Sequence, residues 1–366
     1  MPGKPQKIVL FRHLPTRARK RIANIYRMLL TRHGASNIRP LPLINGVACT
    51  FENPELAQQL AASKSVIAIE DNGEVRLPLP WQSRFFGSTT VPEDYQLIPW
   101  GIDRIGANRV WRVTRGRSVR IAILDTGINL DHPELAPNIK GGYNVLTPSA
   151  APEDDHGHGS HIAGIIAAAD NGWGIIGGSP EASIYAVKIL NRFGKGTIVD
   201  VISGLQWCLD NKIYLVNLSL GTNQPSKALH QAVKAATRMG MIIVTGAGND
   251  GSSQSVDYPG AYPETITVGA VDYNNKLAYF SSKEAEVNFI APGVDILSTS
   301  SVGQYARFSG TSMAAAHVTA AFALLLGTYG KSHRLVNLLR ETAEKLPDLA
   351  PEEQGVGLIR VDRALS

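Results

Sequence analysis

Between Lys7 and Asp71 short apolar runs alternate with amphipathic stretches. IVLF reads as a strand, about Thr16 to His33 as a helix, GVACTF as a strand, about Pro54 to Ser63 as a helix and SVIAIE as a strand, with short polar joints. Residues 1–72 are therefore expected to form a small α+β module. The periodicity then lapses: LPLPWQSRFFGSTTVPED is rich in turn-forming residues, so 73–95 read as an exposed linker. From 96 to 366 the strand-like VRIAILD, SIYAVKIL, YLVNLSL and MIIVTGAG alternate with the helical HIAGIIAAA, VDVISGLQWCLDN and ALHQAVKAATRMG. Such alternation implies βαβ units, a parallel sheet covered on both faces, and a reactive edge at the strands' carboxyl ends.

The 366 residues fit two domains, and 44% hydrophobic with 18% charged residues excludes a disordered, collagen-like or coiled-coil chain. Cys49 and Cys208 lie too far apart in sequence to suggest a disulfide framework or a zinc cluster. Charge is uneven: residues 1–95 carry 13 Lys+Arg against 7 Asp+Glu, and the rest 23 against 24. Arg17, Arg19, Lys20, Arg21, Arg27 and Arg32 read as a solvated helix face, and nucleic acid is not an expected partner. The longest apolar tract, Ala314 to Leu326, is interrupted by His317 and Thr319 and falls short of the roughly 20 residues a membrane span needs. The chain as written is expected in the cytoplasm, or secreted if a leader has been trimmed from it.

Three polar residues stand where the reactive edge is expected. Asp125 ends VRIAILD, His158 opens an apolar helix in DDHGHGSHIAGIIAAA, and Ser312 opens another in FSGTSMAAAHVTAAFALLL. Singly, each reads as a turn or a helix cap. Together they supply a hydroxyl, an imidazole to take its proton, and a carboxylate to orient the imidazole.

On ILDTGI, HGHGSHIAG, VTGAGND and SGTSMAAAH, the chain resembles the subtilisin family of serine proteases from about Gln96 onward. The resemblance implies a three-layer αβα parallel-sheet catalytic domain at 96–366, preceded by a ferredoxin-like propeptide at 1–72. It implies Ser312 as nucleophile, His158 as general base, Asp125 as its orienter and Asn249 as oxyanion donor. Ser219-Leu220-Gly221 and Gly246-Ala247-Gly248 would be the walls of the primary specificity pocket. Asp257 at its floor, with Asp250 near the rim, would favour Arg or Lys on the acyl side of the scissile bond; the competing reading turns Asp257 outward. The bond before Pro259 is expected to be cis. A structural Ca²⁺ is implied at Gln96, Glu134, Ala169, Asn171, Trp173 and Ile175, with Glu134 where aspartate is common. The N-terminal module would act as chaperone and intramolecular inhibitor, with a self-processing site in 72–95 for which Arg76 and Arg84 are candidates. The expected product is a monomeric endopeptidase acting on polypeptides.

Competing readings accompany this one. His156, His158 and His161 after Asp154 and Asp155 resemble a metal cluster. Gly246 to Gly251 spell the GxGxxG of dinucleotide binding, with Asp272 downstream, although SSQSVDYPGAYPE does not suit the helix that motif needs. Ala316 replaces a proline usual in the family, and transpeptidation is the minor alternative it raises. A peptide-binding protein without catalysis is the non-enzyme alternative.

Overall fold

The computed structural model describes residues 5–12, 19–78, 82–84, 91, 95–252 and 256–366, with no side-chain description for 19–25 and 82–84. The basic run from Arg17 to Arg21 therefore lies outside the described side chains.

The N-terminal module runs β1 (Gln6–Phe11), α1 (Arg19–Arg32), β2 (Ala35–Leu41), β3 (Gly46–Phe51), α2 (Pro54–Ala61) and β4 (Val66–Asp71). The sheet order β2-β3-β1-β4 is antiparallel in every pairing, the split βαβ arrangement of ferredoxin-like folds. Strand alternation divides its apolar residues between two cores. Val9 and Phe11 pack with Tyr26, Leu30 and Cys49 inside the module, whereas Ile8 and Leu10 face the large domain. Strand β2 is absent from the sequence reading. It is polar, lies at the sheet edge, carries Pro40 and breaks register between Ser36 and Arg39, so it shows no alternation.

Two described stretches of the expected exposed linker are instead built into ladders. β5 (Glu74–Arg76) pairs antiparallel with β10 (Lys195–Thr197), and β6 (Gln82–Arg84) with β16 (Tyr305–Ser309). Val75, Leu77 and Pro78 are buried.

The large domain contains β7 (Arg120–Asp125), β8 (Ile139–Asn144), α3 (His158–Ala167), β9 (Ser183–Lys188), α4 (Ile198–Asp210), β11 (Leu215–Asn217), α5 (Lys227–Arg238), β12 (Ile242–Gly246), β13 (Ile266–Val271), β14 (Phe289–Pro292), β15 (Ile296–Thr299), α6 (Thr311–Tyr329) and α7 (Arg334–Thr342). Seven strands form one parallel sheet in the order β14-β13-β12-β11-β7-β9-β8. Helices α3 and α6 cover one face, α4 and α5 the other, giving three layers. Helix α6 is apolar nearly all round and buried from Thr311 to Leu325. It is the one described helix long and apolar enough to cross a membrane, and it serves here as the central core helix. Helix α4 begins on a capping box between Thr197 and Asp200. Cys49 and Cys208 are free and buried.

Candidate active site

Strand β7 ends on Asp125, which is fully buried, and helix α3 opens on His158, also buried. His158 Nδ1 lies 2.9 Å from both Asp125 oxygens. The pair is held from behind. Thr126 N–H donates to Asp125 Oδ1, and Gly159 N–H to Thr126 Oγ1. Asp154 Oδ1 accepts from Thr126 Oγ1 and from the N–H groups of His156 and Gly157, while its Oδ2 accepts from Ser160. Asp154 thus caps α3 rather than binding metal. His161 stacks on Phe308 and aims Nε2 at the carbonyls of Ile296 and Ala306; its burial drives its pKa down to about 3. Among the described residues no His/Cys/Asp/Glu group is arranged to hold a metal, which corrects the cluster reading.

Ser312 lies in the first turn of α6, buried beneath the cleft. Asn249 is fixed beside that turn: its Oδ1 accepts from Thr311 N–H and Thr311 Oγ1, each at 3.0 Å. With its oxygen held, Asn249 presents Nδ2 to the cleft. There it donates to the Pro78 carbonyl at 3.4 Å. Among the described residues, the hydrogen bonds of His158 are those of its Nδ1 to Asp125; none to Ser312 Oγ is described. The sequence alone does not single out Thr311 and Thr126, because each passes for an ordinary cap, and it groups Asp154 with the histidines as a metal ligand.

The segment before Pro78 lies along the predicted substrate walls. Arg76 and Gly221 exchange both backbone hydrogen bonds, and Leu77 N–H donates to Gly194 O. Continuing that antiparallel register sets Pro78 opposite Ser219, whose hydroxyl accepts from Asn217. Leu220 is buried behind this edge. On the other wall Gly246 abuts Thr311, so that a Cβ there would fall 2.7 Å from its hydroxyl, and Gly248 N–H donates to the same hydroxyl. Asp257 bridges the two walls. Its N–H donates to Ala247 O, and its side chain lies against Gly221, where a Cβ would meet Asp257 Cβ at 2.5 Å. Burial, with Asp250 adding repulsion against partial relief from Arg76, pushes its pKa up to about 6. Asp250 itself is exposed at the rim and bonds Ser282 Oγ through its N–H. The Tyr258–Pro259 peptide is cis. No helix follows Gly246–Gly251 among the described residues before β13, which disposes of the dinucleotide reading.

At the implied cation site, Gln96 Nε2 donates to Ala169 O at 2.7 Å, Ile175 O at 2.9 Å and Asn171 Oδ1 at 3.3 Å. Three oxygens therefore converge on the Gln96 amide nitrogen, which occupies the point between them; a hard cation would take these oxygens only with that amide turned to present its own oxygen. Glu134 is buried alongside, bonded to Ile175 N–H, Tyr305 hydroxyl and Asn171 Nδ2, and burial raises its pKa. Trp173 contributes an N–H to Asn171 Oδ1.

Residues 116–357 match the subtilase family. The chain belongs to the subtilase family. It is 40% identical over 319 residues to the minor extracellular protease Epr of Bacillus subtilis, covering 86% of this chain and 48% of that protein, so it spans about half that relative's length. It is 42% identical over 236 residues to an intracellular serine protease of Paenibacillus polymyxa, covering 62% of this chain and 72% of the relative. It is 40% identical over 272 residues to subtilisin BL of Lederbergia lenta, covering 74% and 99%. The subtilase domain of this chain is a serine endopeptidase domain, and polypeptides are its substrate class.

Proposed function

We propose that this subtilase hydrolyses peptide bonds with Ser312, His158 and Asp125, and that it is made latent by its own residues 74–78. The observation that carries this reading is the closed Asp125–His158 pair beside an amide, Asn249, that already faces a peptide carbonyl. With Nδ1 bound to Asp125, the imidazole keeps Nε2 to take the proton from Ser312 Oγ as that oxygen attacks the acyl carbon. His158 then returns the proton to the leaving amine, and a water repeats the sequence on the acyl-enzyme. Asn249 Nδ2 and the Ser312 N–H stabilise the oxyanion; Thr311 keeps that amide from rotating.

Residues 74–76 pair as an added strand, as a bound peptide does, and Pro78 offers its carbonyl where the acyl carbon of a substrate belongs. The carbonyl at that position belongs to Pro78, two residues after Arg76, which favours processing after residue 78 over the Arg76 candidate. Glu70 ties the module to the enzyme by accepting from Ser226 Oγ and from the N–H groups of Lys227 and Ala228 at the start of α5. Beyond the module, a Ca²⁺ held by Gln96, Glu134, Ala169, Asn171, Trp173 and Ile175 would brace the loop at 169–175. Asp257 against the pocket wall supports a preference for Arg or Lys. The test is hydrolysis of a peptide amide by processed protein, abolished by Ser312→Ala and by a serine-directed inhibitor; activity surviving both would defeat the assignment.

A further inference from the structure

At the far end of the sheet from Ser312, where β7, β11 and β12 begin, a cavity of about 590 Å³ opens to solvent. Small-ligand sites typically occupy roughly 300–1,000 Å³. Its floor is apolar: Leu215, Met241 and Ile242 from the strand starts, Leu326 from α6, Leu335 from α7. Its mouth is basic, carrying Arg120, Lys212, Lys331 and His333, and no described Asp or Glu lines it.

Two of these cations rest on aromatic rings. Arg120 stacks over Tyr185 at 4.7 Å and donates to its hydroxyl, while Lys331 Nζ sits 3.0 Å above the centre of the Tyr214 ring. Removal from water there lowers the pKa of Lys331, so the ammonium lacks part of its solvation. The amino end of α7 opens at the same rim, with Ser332 Oγ accepting from Arg334 N–H, and adds positive potential. The carboxyl end of α6 opposes this, but Gly330 N–H already satisfies the Leu326 carbonyl.

We propose that this cavity binds a small amphiphilic carboxylate, its alkyl tail over Leu215, Met241 and Ile242 and its head group between Lys212 and Lys331. Apolar floor and unneutralised basic mouth are complementary to that chemistry and to neither a neutral lipid nor a cationic amphiphile. The site lies at the opposite end of the sheet from the peptide cleft, so binding there can be measured in a variant that does not hydrolyse peptides.

The experiment is calorimetric titration of the full Ser312→Ala chain, which cannot digest itself, with decanoate, decanol and decyltrimethylammonium. Decanoate is expected to bind saturably at one site, about tenfold or more tighter than decanol, a difference of about 1.4 kcal/mol, with the cationic amphiphile weaker still. Lys212→Gln and Lys331→Gln alter exposed side chains and spare the core. Each should weaken decanoate about tenfold and leave decanol unchanged. Absence of saturable decanoate binding, equal affinity for decanoate and decanol, or indifference of decanoate to both substitutions would each overturn the proposal.

Discussion

Pro78 turns its carbonyl oxygen to Asn249 Nδ2 at 3.4 Å, while Arg76, two residues earlier, holds Gly221 by both backbone hydrogen bonds. In the proposed latent form the chain lies across its own cleft as a substrate would, with an imino acid at the acyl position. Proline has no N–H, so the ladder bond that any other residue opposite Ser219 would donate is missing.

Replacing Pro78 by lysine restores that donor and offers an ammonium to Asp257. One hydrogen bond is worth about 1 kcal/mol, so self-cleavage after residue 78 should quicken about fivefold from the backbone term alone. Mass spectrometry of the new amino terminus over time measures it. Identical cleavage rates in parent and variant would show that Pro78 is not what restrains the bond.

Asn249→Ala removes the oxyanion donor and leaves Thr311 without its acceptor. Loss of one such donor lowers turnover about 10²–10³-fold, a magnitude typical of this family. The two Thr311 bonds are shed as well, so the melting temperature should fall by a few degrees, roughly as for about 1–2 kcal/mol. kcat on a short peptide amide, set beside a thermal melt, separates the two effects. An unchanged kcat would remove Asn249 from the mechanism.

The sequence made the chemistry legible because the family's reactive residues sit in contiguous loops, ILDTGI, HGHGSHIAG and SGTSMAAAH, at the ends of strongly patterned elements. Buried β7 and the largely apolar α6 announce themselves by composition. What stayed hidden is held by backbone pairing. Strand β2 is a polar edge, and β5 and β6 find partners at Lys195–Thr197 and Tyr305–Ser309, far along the chain. A ladder of N–H and C=O groups leaves no trace in side-chain order, so the cleft-filling segment read as loose linker. Glu70 likewise looked like the end of a strand; its three bonds to the start of α5 exist only once the two domains meet.

Chelation should expose the role of the 169–175 loop. Three oxygens converge on Gln96 next to buried Glu134, and a cation present at about 1,000 times its dissociation constant adds about 4 kcal/mol to stability. Excess EDTA is expected to lower the melting temperature and hasten self-digestion at this loop, with calcium restoring both. Gln96→Ala should melt lower in calcium and lose most of the EDTA response. A melting curve indifferent to chelator and calcium would leave the loop without a cation role.

Asp257 makes the enzyme sensitive to pH in a direction that can be fixed. Its folded pKa, raised to about 6 by burial and by Asp250, lies above the roughly 3.9 of an unfolded aspartate. The folded state therefore keeps a proton that the unfolded chain has lost. The associated stability is complete below about pH 4 and disappears as pH rises through about 6. Activity on basic substrates runs the opposite way, since only the carboxylate attracts Arg or Lys. The ratio of kcat/KM for an Arg substrate over its Gln counterpart should climb about tenfold between about pH 5 and pH 8. Loss of residues 74–78 would remove both Arg76, which holds the pKa down, and part of the cover whose burial raises it, so the midpoint is read on one and the same form of the enzyme. Asp257→Asn should flatten the ratio while leaving the Gln substrate unaffected. A ratio that stays level with pH in the parent enzyme, or that climbs equally in the variant, would place the basic preference elsewhere than Asp257.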